Sequence, residues 1–187
     1  IIEEKPDLII DAAAIVGGIW ANNEYPFQFL MDNMQIQNNL INAAVKNKIE
    51  NFIFLGSSCI YPRDAQQPLK EEYLLTSSLE NTNQWYALAK ITGVKLIEAA
   101  RKVYGYNYVS LMPTNLYGPN DNFDLKNSHV LPALLRKFHE AKIQNSEVII
   151  WGSGTPKREF LYVDDLAEAI FYFILNPAKE SLYNIGS

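Results

Sequence analysis

Two residues four apart, Tyr86 and Lys90, have the types and spacing to move a proton. In a helix they share a face, about 6 Å apart along the axis. A phenol exchanges its proton readily near neutrality only if its pKa falls by about three from ~10, roughly 4 kcal/mol. A neighbouring ammonium supplies a field of the right sign. On its own the pair reads more simply as a solvated i,i+4 contact. What distinguishes it is Gly56-Ser57-Ser58-Cys59-Ile60-Tyr61-Pro62, directly after the apolar run Phe52-Ile53-Phe54-Leu55. If that run is a strand, a hydroxyl of Ser57 or Ser58 sits at its carboxyl end, and the helix carrying Tyr86 returns to the same edge. Serine, tyrosine and lysine in that order suit carbonyl reduction. Ser57 or Ser58 would polarise the C=O, Tyr86 would give the proton and Lys90 would tune it. Gly93 continues the helix face, where a missing side chain lets a ligand or another backbone approach.

The elements that must hold these residues alternate. Leu8-Ile9-Ile10 predicts a buried strand entering a small-residue turn at Asp11-Ala12-Ala13-Ala14. Apolar residues at three- and four-residue steps predict a helix from Pro26 to Lys46, and a second runs from Gln84 to Tyr104 with Gly105 at its C′ position. Tyr108 to Met112 reads as a strand ended by Pro113, His129 to Lys142 as a helix, and Val148-Ile149-Ile150-Trp151 as a fourth strand. Asp164 or Asp165 is expected to cap a last helix through Leu175. Strands joined by crossovers of more than about a dozen residues imply parallel pairing, hence a doubly wound α/β sheet. The two long irregular stretches, 62–78 and 113–128, follow strands at the sheet's carboxyl edge, where open α/β folds bind ligands.

Composition narrows the function. The chain has 187 residues, 48% of them apolar, and a formal net charge of −5, which describes a globular protein. A negative balance without a basic run argues against nucleic acid as a partner. The apolar runs are broken by Asp11 and by Asp164-Asp165, well short of the roughly 20 residues that cross a bilayer. The single cysteine, Cys59, excludes an internal disulfide and a multi-cysteine zinc site, no metal site is expected, and no leader pattern is visible, so the expected compartment is the reducing cytoplasm. A dinucleotide-binding fold should carry a strand–GxGxxG–helix fingerprint, and none of the nine glycines makes one. Either this is no nucleotide fold, or the opening βαβ units are absent from this chain; a start at Ile1-Ile2 without methionine and an end at Gly186-Ser187 read as a piece of a longer protein.

Six segments carry a resemblance to a known family: Ala12–Ile19, Leu55–Pro62, Tyr86–Lys90, Met112–Pro119, Asn127–Leu134 and Trp151–Phe160. On these the chain resembles the extended short-chain dehydrogenase/reductases over essentially its whole length. Within them it is similar to the branch that converts GDP-4-keto-6-deoxy-D-mannose to GDP-L-fucose by 3,5-epimerisation and NADPH-dependent 4-reduction. The resemblance implies a Rossmann-like doubly wound sheet, cut at both ends. It implies the C-terminal part of an NADP-binding domain over 1–112 and the start of a smaller substrate domain over 113–187, with 159–178 returning to the first. It assigns Ser57, Tyr86 and Lys90 to reduction and makes Cys59 and His129 an epimerase acid/base pair. By residue type alone, Cys59 would be an inert core thiol and His129 a helix-start histidine. The chemistry suits the pair nevertheless, because a ketone at C4 acidifies C3 and C5, and inversion needs a base on one face and an acid on the other. The resemblance also places Leu55, Gly56, Ser57, Ser58, Tyr86, Lys90, Pro113, Thr114, Asn115, Leu116 and His129 against NADPH. Lys137, Trp151 and Arg158 fall to the GDP moiety, Arg and Lys suiting a diphosphate and Trp a flat apolar surface. A homodimer through the helices near 26–46 and 84–104 is the implied assembly. Two other readings remain: a related NAD(P)-dependent nucleotide-sugar epimerase or dehydratase, and a non-catalytic binding fragment on the same fold.

Overall fold

A computed structural model describes every residue except Ile2, Lys126, Trp151 and Ser187. Among the described residues six strands and five α-helices follow in order: β1 (Leu8–Asp11), α1 (Ile19–Glu24), α2 (Pro26–Lys46), β2 (Asn51–Leu55), α3 (Gln84–Tyr104), β3 (Asn107–Pro113), β4 (Asn115–Tyr117), α4 (Val130–Gln144), β5 (Phe160–Tyr162), α5 (Val163–Leu175) and β6 (Leu182–Ile185). Four of the strands form one parallel sheet in the order β1-β2-β3-β6, and β4 pairs with β5, also parallel, in a separate ribbon.

The period of two along β2 and β3 sorts their side chains into two cores. Phe52, Phe54, Tyr108 and Met112 face α2 and α3, where they meet Ile41, Ala44, Ile91, Val94 and Ile97. Ile53, Val109 and Leu111 face the other way, against Ala178 with Ile170 and Phe173 of α5. Burial on both faces explains why β2 and β3 read as unbroken apolar runs, as covered parallel strands do. Between the two helices on the first face, buried Gln37 donates from Nε2 to the Ala89 carbonyl at 2.6 Å.

α2 and α3 span the residues their periodicity predicts, and α3 ends on Gly105 in the left-handed region (φ 73°). Other expectations are corrected. Residues 148–150 form no strand, and Ile149 and Ile150 are exposed, because no edge of either sheet lies along them to take up their backbone hydrogen bonds. α4 begins at Val130, with His129 as its N-cap, and continues to Gln144. Tyr162 is the N-cap of α5, which places Asp164 and Asp165 inside its first turn, where their charge meets the positive end of the helix dipole. β4, β5, β6 and α1 lie where no strand or helix was expected; each is short, and short elements carry little periodicity. β6 adds the strand beside β3, so the chain rejoins the main sheet at Leu182–Ile185.

Candidate active site

The end of β2 is built around Gly56. Its N–H donates to the Leu111 carbonyl at 2.8 Å, and a side chain there would run into the Met112 sulfur of β3. Glycine thus lets β2 and β3 stay in register up to the point where the chain turns out of the sheet. Ser57 follows in extended conformation and caps a 3₁₀ turn over Ser58–Ile60, its Oγ accepting from the Cys59 N–H at 3.3 Å. The same Oγ donates to Cys59 Sγ at 3.0 Å. Between the two serines open at the sequence level, the structure thus sets Ser57 against the thiol.

Tyr86 and Lys90 arrive on α3. Tyr86 is half-buried and meets the Phe29 ring edge-on, with centroids 6.5 Å apart. Burial, and after it the nearby Cys59, hold the phenol above its ordinary range. Lys90 does not bring it down, contrary to the expectation from spacing. The lysine is buried and turned toward the sheet, where Nζ donates to the Leu55 carbonyl at 2.8 Å and lies 4.7 Å from the Phe54 ring centroid. Burial pushes its ammonium pKa down, while Asp11 and Cys59 pull it up. Gly93 has a correction of the same kind. A side chain there would strike Phe54 of β2 and Gln37 of α2, so its bareness serves helix–sheet packing and leaves no room for a ligand.

Cys59 keeps contact with solvent, yet protein atoms crowd its thiol from behind. That crowding pushes the thiol up, against hydrogen bonding from Ser57 and Asn83 and the field of Lys90. Asp11, at the end of β1 beside Phe54 of β2, is the group sequence reasoning missed. It is 1% exposed, takes the Ala13 N–H on Oδ1 at 3.1 Å, and leaves Oδ2 buried without a partner. Burial raises its carboxyl pKa, opposed by the Ala13 hydrogen bond and by Lys90. The signal was a charge closing an apolar strand run. A second missed residue is Asn33, buried on α2, whose amide takes the Ile15 N–H at 2.7 Å and donates to the Ile15 carbonyl at 3.0 Å. That clamp fixes the loop leaving β1, which passes Ser128 at Gly18.

The segment Pro113–Leu116 leaves β3 alongside. The Thr114 N–H donates to the Ile185 carbonyl at 3.1 Å, and Asn115 Nδ2 donates to the Glu159 carbonyl at 2.9 Å. Thr114 Oγ1 is buried with no partner. Ser57, Cys59, Tyr86 and Lys90 are therefore brought together at one carboxyl edge, with Leu55, Gly56 and Pro113–Leu116 along it. The remaining candidates lie in the chain beyond β4. His129 is exposed and makes no side-chain cap bond. Lys137 donates to the Ile149 carbonyl at 3.2 Å in a cavity of about 580 Å³ shared with Trp20, Glu140 and Glu147. Arg158 is exposed and donates to the neighbouring Lys157 carbonyl at 2.8 Å. Trp151 lies outside the described residues. Among the described residues no group of three or more His, Cys, Asp or Glu side chains is placed to hold a metal ion, and no helix is long and apolar enough to cross a membrane.

A parallel α/β sheet with a hydroxyl, a phenol, a lysine and a thiol at its carboxyl edge defines the class, and comparison with known proteins agrees. Residues 1–186 match the NAD dependent epimerase/dehydratase family, and the chain belongs to that family. It is 55% identical over 186 residues to GDP-L-fucose synthase 1 of Arabidopsis thaliana, covering 99% of this chain and 58% of that protein. It is 58% identical over 167 residues to GDP-L-fucose synthase of Escherichia coli K12, covering 89% of this chain and 52% of that protein. Its fold matches a GDP-L-fucose synthetase from Naegleria fowleri bound to NADP, with a TM-score of 0.86 and 30% identity, over 98% of this chain and 60% of that one. The chain thus spans a little over half the length of these relatives.

Proposed function

We propose that the protein containing this chain carries out 3,5-epimerisation and NADPH-dependent 4-reduction of GDP-4-keto-6-deoxy-D-mannose to GDP-L-fucose. The observation that carries the reading is the Ser57 hydroxyl bonded to the Cys59 thiol at 3.0 Å, beside Tyr86 and Lys90. A carbonyl-binding hydroxyl and an acid/base thiol in one place are what a combined epimerase and reductase requires.

Cys59 takes or returns a proton at C3 and C5, and His129 serves the opposite face. Ser57 and Tyr86 hold the C4 oxygen while negative charge develops on it. Tyr86, kept protonated by its burial, then gives its proton to that oxygen. NADPH, when bound, supplies the hydride for C4. The residues fit it: Leu55, Gly56, Ser57, Ser58, Tyr86, Lys90 and Pro113–Leu116 line one edge, and the buried, unpartnered Thr114 Oγ1 is a polar atom in want of a ligand group. Lys137, Arg158 and Trp151 are assigned to the GDP. A homodimer is supported by the exposed Phe27, Met31, Trp85 and Leu88 on α2 and α3. A cytoplasmic setting is supported by the free, exposed Cys59.

The test is NADPH oxidation by the whole protein supplied with GDP-4-keto-6-deoxymannose. Tyr86→Phe is expected to lower reduction by about 10²–10⁴-fold. Cys59→Ser is expected to stop deuterium uptake from solvent at C3 and C5. Uptake at wild-type rate in Cys59→Ser would remove the thiol from the chemistry.

A further inference from the structure

Asn83 occupies the N-cap of α3, a position where asparagine ordinarily turns its side-chain oxygen onto the first free N–H groups of the helix. It makes no such bond here. Its Nδ2 instead donates to the Cys59 carbonyl at 3.1 Å, 24 residues back along the chain, and its Oδ1 is buried with no partner. The helix start has given up its cap to hold the turn that carries the thiol. Because Tyr86 lies three residues further along the same helix, one amide ties the thiol's backbone to the element that delivers the phenol.

We propose that Asn83 is a positioning residue for Cys59, fixing the Ser58–Ile60 turn, and with it the thiol, against α3. The proposal rests on the acid/base role given to Cys59 above. Hydrogen bonding from Asn83 also favours the ionised thiol, in the same sense as that from Ser57. Ser57 bonds the sulfur from the strand side and Asn83 the backbone carbonyl of the same residue from the helix side, so Cys59 is held by two elements whose relative position the core fixes. The unpartnered Oδ1 adds that this amide is held where it is at a cost, which a residue serving only the helix start would not bear.

The experiment uses the whole protein and the variants Asn83→Ser, Asn83→Asp and Cys59→Ser. Serine and aspartate cap helices as well as asparagine does, so a role confined to the helix start is preserved in both. Three quantities are read: the thermal midpoint, the pH dependence of iodoacetamide labelling of the Cys59 peptide by mass spectrometry, and solvent deuterium uptake at C3 and C5 of the keto sugar. In Asn83→Ser the midpoint should hold or rise. The labelling profile should move to higher pH by about one unit, and uptake should fall about tenfold, as the turn that carries the thiol loses its tie to α3. Asn83→Asp should move the profile at least as far, since its charge opposes the thiolate. A labelling profile unchanged from wild type in both variants overturns the proposal. If Cys59→Ser keeps deuterium uptake while Asn83→Ser still shifts labelling, the acid/base role fails and the Asn83–Cys59 coupling stands.

Discussion

The chain holds two regions that meet the same solvent with different degrees of internal support. In the first, residues 8–113, every candidate site residue hangs from the main sheet or its covering helices. Lys90 is bonded to Leu55, Ser57 to Cys59 and Asn83 to Cys59, and fully buried Phe54 lies beneath the lysine. In the second, residues 115–162, β4 and β5 pair only with each other. Among the polar candidates there, Asn115 bonds to the Glu159 carbonyl just ahead of β5, Arg158 to the adjacent carbonyl, and Lys137 to Ile149 twelve residues away. The difference teaches where rigidity comes from. A side chain is placed to a fraction of an ångström when its backbone belongs to a packed core and its polar atoms bond across elements. The proton-moving half of the site has that support. Of the half assigned to the nucleotide sugar, Lys137 lies on α4 and Arg158 in the segment leading into β5.

Three substitutions break or sharpen this contrast. The largest effect is expected from Phe54→Ala. It opens a void between β2, Gly93 and Lys90 and removes the ring under the ammonium, so a loss of about 3–5 kcal/mol should appear in urea or thermal unfolding. A loss below about 1 kcal/mol would deny that the first region owes its order to this core. A smaller change, with a distinctive pH dependence, is expected from Asp11→Asn. Because burial raises the folded carboxyl above its ordinary 3.8, the folded state holds that proton more tightly than the unfolded chain does. The stability this contributes is full below the ordinary carboxylate value and is lost as pH rises through the raised one. The stability of Asp11→Asn relative to wild type should therefore increase from about pH 4 to pH 7 in thermal melts, and a flat difference would contradict the assignment. The smallest effect on stability belongs to His129→Ser. The histidine makes no cap bond and serine is a good N-cap, so stability should hold or rise by less than about 1 kcal/mol. Keto-sugar epimerisation by the whole protein should fall sharply in the same variant. A clear drop in its thermal midpoint would mean that His129 supports structure after all.

Much of this was legible in the residues. The 3.6-residue pattern of Pro26–Lys46 and Gln84–Tyr104 delimits both long helices, because each must bury a continuous stripe against the sheet. Gly56-Ser57-Ser58-Cys59 and Tyr86-x-x-x-Lys90 mark the chemistry, since few residue types can polarise a carbonyl and move its protons. Val148–Ile150 misled because β-branched residues look the same whether or not a partner strand exists. Asp164 and Asp165 misled by one turn, as good caps also favour the first turn of a helix.

Residue types and periodicity by themselves determined that this is a parallel α/β protein with a serine, a thiol, a phenol and a lysine near one strand end. Those are properties of local spacing and of the apolar area each element must bury. Only the tertiary structure decided how the four are wired. It bonded Lys90 to the Leu55 carbonyl, chose Ser57 as the partner of Cys59, buried Asp11 nearby and drew Asn83 off its helix cap. Each of those outcomes is set by where a side chain finds a desolvated partner across elements, and no interval along the chain encodes that.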